Sequence, residues 1–481
     1  MLFVESRELE GAVPEAERPR LLDALAREGF TPLARTTRRR MLELALGHAA
    51  LARPELVPQL ESSLVPRADG AGPLHPGDLF CFHDHVLYLV FRDAGLRAGL
   101  VHAEGFEHGA ARLEEFCRLL AGAPGPGGFD CGDTPWPGAG GQGALEHAGF
   151  VHAGGDAHAT GPDAIARPFA DSRTAHGSAL PAADPSTPAR LAASAALEDG
   201  PTRALLRRLR DVGAGPAEAS DLPALADGAA VERLVEAGLL RRDVRVSCRR
   251  TGHALLDLPA ADSLALVTAS RARCGLCAAS VADEVIAETL NPTEMASALL
   301  DGAAWLRDRV LGVLASLGLA SRSVAAGEVS AHGEASLLTE VCGERFLFFA
   351  RDGDLTSEAT RRAVARASDT EAAHLFAVAT GAVEDGARMR LYEFSWRRAR
   401  DGRDLGVTVL EGLGRARAEI GRALDAAARR KLARELSTLD AALGLSAAQL
   451  VLARLRHAAP GAPRLAPASG LALQKWEAAG G

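Results

Sequence analysis

The segment "GEASLLTEVCGERFLFFARDGD" (333–354) holds two apolar runs, "SLLTEVC" and "RFLFFAR", separated by Gly343-Glu344. Glycine in the first central position of a two-residue loop is the mark of a tight hairpin turn. The runs carry the leucine, valine, threonine and phenylalanine that suit a pleated surface. They therefore predict a pair of antiparallel strands. With a side-chain period of two, Ser336, Leu338 and Glu340 fall on one face of the first strand.

The neighbouring segments extend this pair. Upstream, "TEMASALLDGAAWLRDRVLGVLASLGL" (293–319) has helical spacing and "SRSVAAGEVS" (321–330) reads as a strand. Downstream, "TSEATRRAVARAS" (356–368) reads as a helix and "AHLFAVATG" (373–381) as an apolar strand. The resulting order is αβββαβ. Further upstream lie helices at "PTRALLRRLRDVG" (201–213) and "EASDLPALADG" (218–228). "AAVERLVEAGLLRRDVRVSC" (229–248) then runs from a helix through Gly238 into a strand. Three short helices ahead of a strand hairpin resemble a winged helix over about 50 residues.

"VSCRRTGHALLDL" (246–258) follows, and "RCGLC" (273–277) comes after it. Two cysteines two residues apart fill half of a tetrahedral zinc shell, so a second turn must supply the rest. That turn reads Cys248-Arg249-Arg250-Thr251-Gly252, with threonine where a second cysteine belongs. His253 offers a nitrogen nearby. The expected structural zinc site is Cys248, His253, Cys274 and Cys277. The alternative is a decayed knuckle whose cysteines are merely small buried side chains.

The combination of winged helix, zinc knuckle and αβββαβ core resembles the restriction-endonuclease-like PD-(D/E)xK fold of bacterial proteins. It covers roughly residues 201–385. That resemblance implies an acid on the second core strand and an acid-x-lysine at the end of the third, holding magnesium against a phosphate. This sequence departs at every position. The first acid falls on Ser336, the second on Phe349 and the lysine on Arg351. Arginine stays protonated and cannot act as a base. Glu334, Glu340, Asp352 and Asp354 are the acids near enough to have taken over.

Arg241, Arg242, Arg245, Arg249 and Arg250 crowd the wing and knuckle, with Arg207, Arg208 and Arg210 upstream. Such a patch can hold phosphates, or form a solvated face balanced by interleaved acids. The net charge is −8, so any attraction for DNA is local.

With 481 residues the chain is too long for one core, which predicts an α/β multidomain protein. The expected order is an N-terminal α/β domain (1–122), a Gly/Pro/Ala/His-rich linker (123–198), the winged helix and knuckle (199–290), the degenerate nuclease-like domain (291–400), C-terminal helices (401–458) and a tail (459–481). Within the first domain, helices are expected at 15–30, 36–51 and 109–122, and two strands over 78–106. Cys81, His83 and His85 there form a weaker metal-like set. His147, His152 and His158 in the linker read as solvated. Leu413, Ile420, Leu424, Leu432, Leu436, Leu439 and Leu443 draw a stripe that either clasps the core or pairs two copies as a homodimer. No run of 18 apolar residues is present, and the seven cysteines form no disulfide framework, so a cytoplasmic protein is expected. The functional expectation is a non-catalytic DNA- or protein-binding component, in a bacterial defence or DNA-transaction system by resemblance. The alternatives are an active metal-dependent nuclease with relocated acids and a winged-helix transcriptional regulator.

Overall fold

A computed structural model describes residues 1–33, 42, 45–46, 75–82, 84–93, 95–103, 108–121, 187–211, 217–218, 228–258, 273–280, 285–319, 323–327, 329–330 and 332–458. These residues form a mixed α/β architecture of eleven helices and three sheets. In chain order the elements are β1 (Leu2–Glu10), α1 (Arg18–Arg27), β2 (Gly77–Cys81), β3 (His85–Phe91), β4 (Gly95–Ala103) and α2 (Gly109–Ala121). Next come α3 (Pro188–Ala196), α4 (Gly200–Asp211), β5 (Ala217–Glu218), α5 (Gly228–Glu236), β6 (Leu240–Ser247), β7 (Ala254–Leu258) and β8 (Val285–Pro292). Then follow α6 (Glu294–Leu300), α7 (Ala304–Ser316), β9 (Val324–Ala326), β10 (Glu334–Val341), β11 (Glu344–Arg351), α8 (Ser357–Asp369) and β12 (His374–Ala379). The chain ends in α9 (Asp385–Arg400), β13 (Gly406–Glu411), α10 (Ala416–Leu443) and α11 (Ala447–Ala458).

The hairpin expected at 333–354 is present, with Ser336 opposite Phe349 and Glu334 opposite Arg351. Val341 pairs with Glu344, so the two loop residues are Cys342 and Gly343, at φ +56° and +76°, and not the expected Gly343-Glu344; glycine takes the second position. β9 pairs antiparallel with β10, while β12 and β13 add parallel strands, giving the order β13-β12-β11-β10-β9. The sheet is covered on both faces. Leu338, Leu347 and Phe349 pack with Ala363 of α8 and Leu391 of α9. Leu337, Phe346 and Phe348 belong to a second core that includes Leu306 of α7 and Leu432 of α10.

The single helix expected over 293–319 is two. α6 stops at Asp301, Gly302 turns at φ +57°, and α7 restarts at Ala304. A Cβ at Gly302 would sit 2.5 Å from Val329, so the break also makes room for the neighbouring segment. Nor is α7 amphipathic. Trp305, Leu306, Val310, Leu311 and Leu314 bury it on several sides, along with Asp308, whose carboxylate is held by Arg190 and Arg307.

At the N-terminus the two strands expected over 78–106 are three, because Phe82 N–H turns back to the carbonyl of His85. β1 was hidden by its alternating charges, yet it pairs with β4 along its whole length. The sheet order is β1-β4-β3-β2. One face carries Phe80, Leu87, Leu89 and Leu100 against α1 and α2. The other carries Leu79, Val86, Tyr88 and Val101 into the same core as α10. The N-terminal sheet is therefore half of a shared interior. Its anchor is Glu435 of α10, which accepts hydrogen bonds from Ser6, Tyr88 and Arg97.

The linker expected over 123–198 ends earlier, since Pro188–Ala196 is helical. Its histidines 147, 152 and 158 lie outside the described residues, as do the tail 459–481, His83, most of the helix expected at 36–51 and residues 219–227 of the one expected at 218–228. The third sheet has the order β5-β8-β6-β7, with β6 and β7 forming the expected strand hairpin. In the C-terminal stripe, Ile420, Leu424, Leu432, Leu436 and Leu439 are fully buried within this one chain. No described helix is long and apolar enough to cross a membrane.

Candidate functional site

Two short turns bring three of the four expected zinc ligands together. The sulfurs of Cys248, Cys274 and Cys277 all lie within 4.8 Å of one another. Those of Cys248 and Cys277 are 3.4 Å apart. A tetrahedral zinc with Zn–S bonds of about 2.3 Å needs sulfurs roughly 3.8 Å apart, so the triad fits a metal ion of that size. Cys248 and Cys274 are buried and Cys277 is half-buried. Among the described residues this is the only such group of three or more histidine, cysteine or acidic side chains. The Leu276 N–H donates to the Cys274 sulfur at 3.4 Å and, with the Cys277 N–H, pulls this thiol down to about 7. A thiolate, the form that binds metal, is therefore accessible near neutral pH.

His253 does not join the group. The residue is exposed, and its backbone rather than its imidazole closes the first turn. Cys248 N–H donates to the His253 carbonyl at 2.8 Å, and Gly252 N–H donates to the Cys248 carbonyl at 2.7 Å. The expected three-cysteine, one-histidine shell is thus corrected to a three-cysteine set. Spacing alone did not reveal that the residue after the turn glycine serves the turn through its backbone carbonyl.

The Cys81, His83, His85 set does not form a described cluster. Burial raises the Cys81 thiol to about 12, which opposes the thiolate a metal needs.

On the central sheet, Glu334, Ser336, Phe349 and Arg351 face α8. A cavity of about 280 Å³ opens there, lined by Ser330, His332, Glu334, Ser336, Phe349 and Arg362 among others. The Glu334 carboxylate is buried and is occupied by arginine. It accepts from Arg362 Nη2 at 2.6 Å and Nε at 2.8 Å, and from Arg351 Nη1 at 3.1 Å. The Glu334 hydrogen bonds in turn hold the Arg362 guanidinium protonated even more firmly than usual.

The other nearby acids lead elsewhere. Glu340 lies at the far end of the strand, 3.8 Å from Arg345. Asp354 accepts the Ala382 N–H at 2.8 Å. Asp352 is buried and points toward α4 and α7, accepting from Trp305 Nε1 at 2.6 Å, from Thr380 Oγ1 at 3.0 Å and from Arg207. Asp369, at the end of α8, is the other carboxylate lining the cavity. Glu334, one of the four acids named from the sequence as near enough to take over, shares a strand face with Ser336 by the period of two.

The wing arginines are paired with carboxylates. Arg241 forks onto Asp243 at 2.7 and 2.8 Å. Arg245 does the same to Asp257 at 2.8 and 3.3 Å. Arg242 bonds Glu232 and lies 3.4 Å from Glu288. Arg249 and Arg250 sit exposed on the first knuckle turn. Asp243 lies two residues from Arg241 on the same strand, whereas Asp257, Glu232 and Glu288 come from neighbouring strands and the preceding helix, beyond the reach of local sequence. No protein-family model matches the chain, and no curated protein or solved structure matches it.

Proposed function

We propose that this chain is a non-catalytic binding component built on a restriction-endonuclease-like sheet. A winged helix and a zinc knuckle would form its second half, and a bacterial defence or DNA-transaction system would be its setting. The observation that carries this reading is the state of Glu334. Where a nuclease of this fold would hold a divalent cation between carboxylates, this carboxylate is neutralised by Arg351 and Arg362. Two guanidiniums satisfy it, so the face has little to offer magnesium. The antiparallel β9-β10-β11 meander, the α8 crossover and the parallel β12 support the fold assignment.

The partner favoured by the surface is a protein. Arg241, Arg242 and Arg245 are engaged by acids, which reduces what that patch offers a phosphate. Met389, Tyr392 and Trp396 stand exposed on α9 at positions i, i+3 and i+7, beside Arg388 and Arg397. Tyrosine, tryptophan and arginine together are the usual anchors of protein interfaces. Incubating plasmid with the protein and magnesium or manganese tests the proposal. Intact plasmid supports it; cutting that disappears in Glu334→Ala overturns it. A gel shift at about 50 mM salt tests the DNA arm, because phosphate contacts are strongest there. A strong shift that Arg249→Ala and Arg250→Ala abolish would make DNA the partner.

A further inference from the structure

The two knuckle turns are copies of one another in backbone geometry. In the second, Cys274 N–H donates to the Ala279 carbonyl at 2.9 Å, and Ala278 N–H donates to the Cys274 carbonyl at 2.8 Å. These are the bonds that Cys248, Gly252 and His253 make in the first, residue for residue. The fifth residue of each turn has positive φ: +67° at Gly252 and +59° at Ala278. An alanine held in that conformation is uncommon, so the turn shape is enforced rather than incidental. The fourth residue also behaves alike. The Cys277 sulfur receives the Ala279 N–H, and Thr251 Oγ1 lies 3.4 Å from the His253 N–H.

Superposing the turns in sequence sets Thr251 in the place of Cys277. A tetrahedral site made from two such turns takes one ligand from each of the four positions: Cys248, residue 251, Cys274 and Cys277. The fourth is a neutral hydroxyl, a weak ligand beside thiolates. The turn carrying it is open to water, since Thr251, Gly252 and His253 are all exposed. Leu276 on the opposite turn is 71% exposed, so both turns face outward among the described residues.

We propose that zinc bound at Cys248, Cys274 and Cys277 keeps its fourth position, on the Thr251 side, open to an exchangeable ligand from outside the chain. Water fills it at rest, and a thiolate can replace that water. This inference rests on the zinc reading and departs from a closed structural site. Three protein ligands with one exchangeable position is the pattern of reactive zinc, whereas structural zinc has four. A metal with three thiolates carries a net charge of −1, and Arg249, Arg250 and Arg273 on the same two turns favour that charge.

Cobalt replaces zinc with a visible readout. The full chain is stripped with chelator, kept reduced with a phosphine, and loaded with one equivalent of Co(II). Thiolate-to-cobalt absorption per metal scales with the number of sulfurs, so adding 2-mercaptoethanol is expected to raise it by about one third, from three sulfurs to four. Thr251→Cys is expected to start at the higher value and ignore the added thiol. His253→Ala is expected to match the parent chain. A parent spectrum that does not respond to thiol overturns the proposal, as does one altered by His253→Ala. In both cases the metal site itself stands. Failure of the parent chain to bind cobalt at all overturns the zinc reading together with it. The thiol arm uses the unaltered chain, so a misfolded variant cannot obscure the answer.

Discussion

Replacing Glu334 with alanine separates a structural ion cluster from a catalytic one. Glu334 is 5% exposed and binds two guanidiniums through three hydrogen bonds. Removing one partner of a buried pair costs about 3–5 kcal/mol, because the other charge stays behind. Arg362, 36% exposed, returns to water, which reduces its share to about 1 kcal/mol or less. Arg351, 21% exposed, keeps most of its penalty. The expected loss is about 3 kcal/mol, a fall in melting temperature on the order of 6–12 °C at about 2–4 °C per kcal/mol. Magnesium is expected to leave both proteins unmoved. A true cation site with a Kd of about 0.1 mM would gain about 2.7 kcal/mol at about 10 mM magnesium, a shift too large to overlook. Differential scanning fluorimetry with and without 10 mM magnesium reads both effects. The reasoning is refuted if magnesium stabilises the parent chain by several degrees and Glu334→Ala removes that gain while melting no lower.

Three other perturbations test neighbouring parts of the structure. Leu436→Ala is expected to cost about 2–5 kcal/mol in urea unfolding, since the side chain is fully buried, with no change in sedimentation coefficient because the stripe is covered by its own chain. Burial pushes the Glu344 carboxyl up, but hydrogen bonds from Arg430 and His374 outweigh it and hold the group at about 2. Its contribution is thus complete above the ordinary value of 4.5 and is lost as pH falls toward 2, so Glu344→Gln is expected to flatten acid unfolding across that window, as followed by circular dichroism. If the chain shifts DNA at all, Arg250→Ala is expected to lower the slope of log affinity against log salt by about one, while Arg241→Ala leaves it unchanged, measured by fluorescence anisotropy.

The readable parts of this sequence were those whose signal is local. Two apolar runs and a glycine turn marked β10 and β11, and leucines at helical spacing marked α10. Cys274 and Cys277 announced half a metal site by spacing alone. The sequence was silent or misleading where the answer depended on distant partners. The alternating charges of β1 hid a strand whose backbone partner, β4, lies about ninety residues later. The leucine stripe of α10 fits a dimer or a clasp equally well, and only its contacts with the N-terminal sheet and α7 decide for the clasp.

The candidate site divides along the same line. By itself the sequence determined that Ser336, Phe349 and Arg351, where the resemblance would set acid, acid and lysine, hold no carboxylate, because residue identity sets what an atom can ligate. Tertiary structure decided what became of the neighbouring charges: Glu334 met Arg351 and Arg362, Asp352 turned toward Trp305, and the wing arginines met their acids. It also left His253 outside the cysteine triad, its backbone carbonyl instead accepting from Cys248 N–H. Periodicity and spacing report on neighbours a few residues apart, whereas a charge takes its role from whichever group folding brings within about 4 Å.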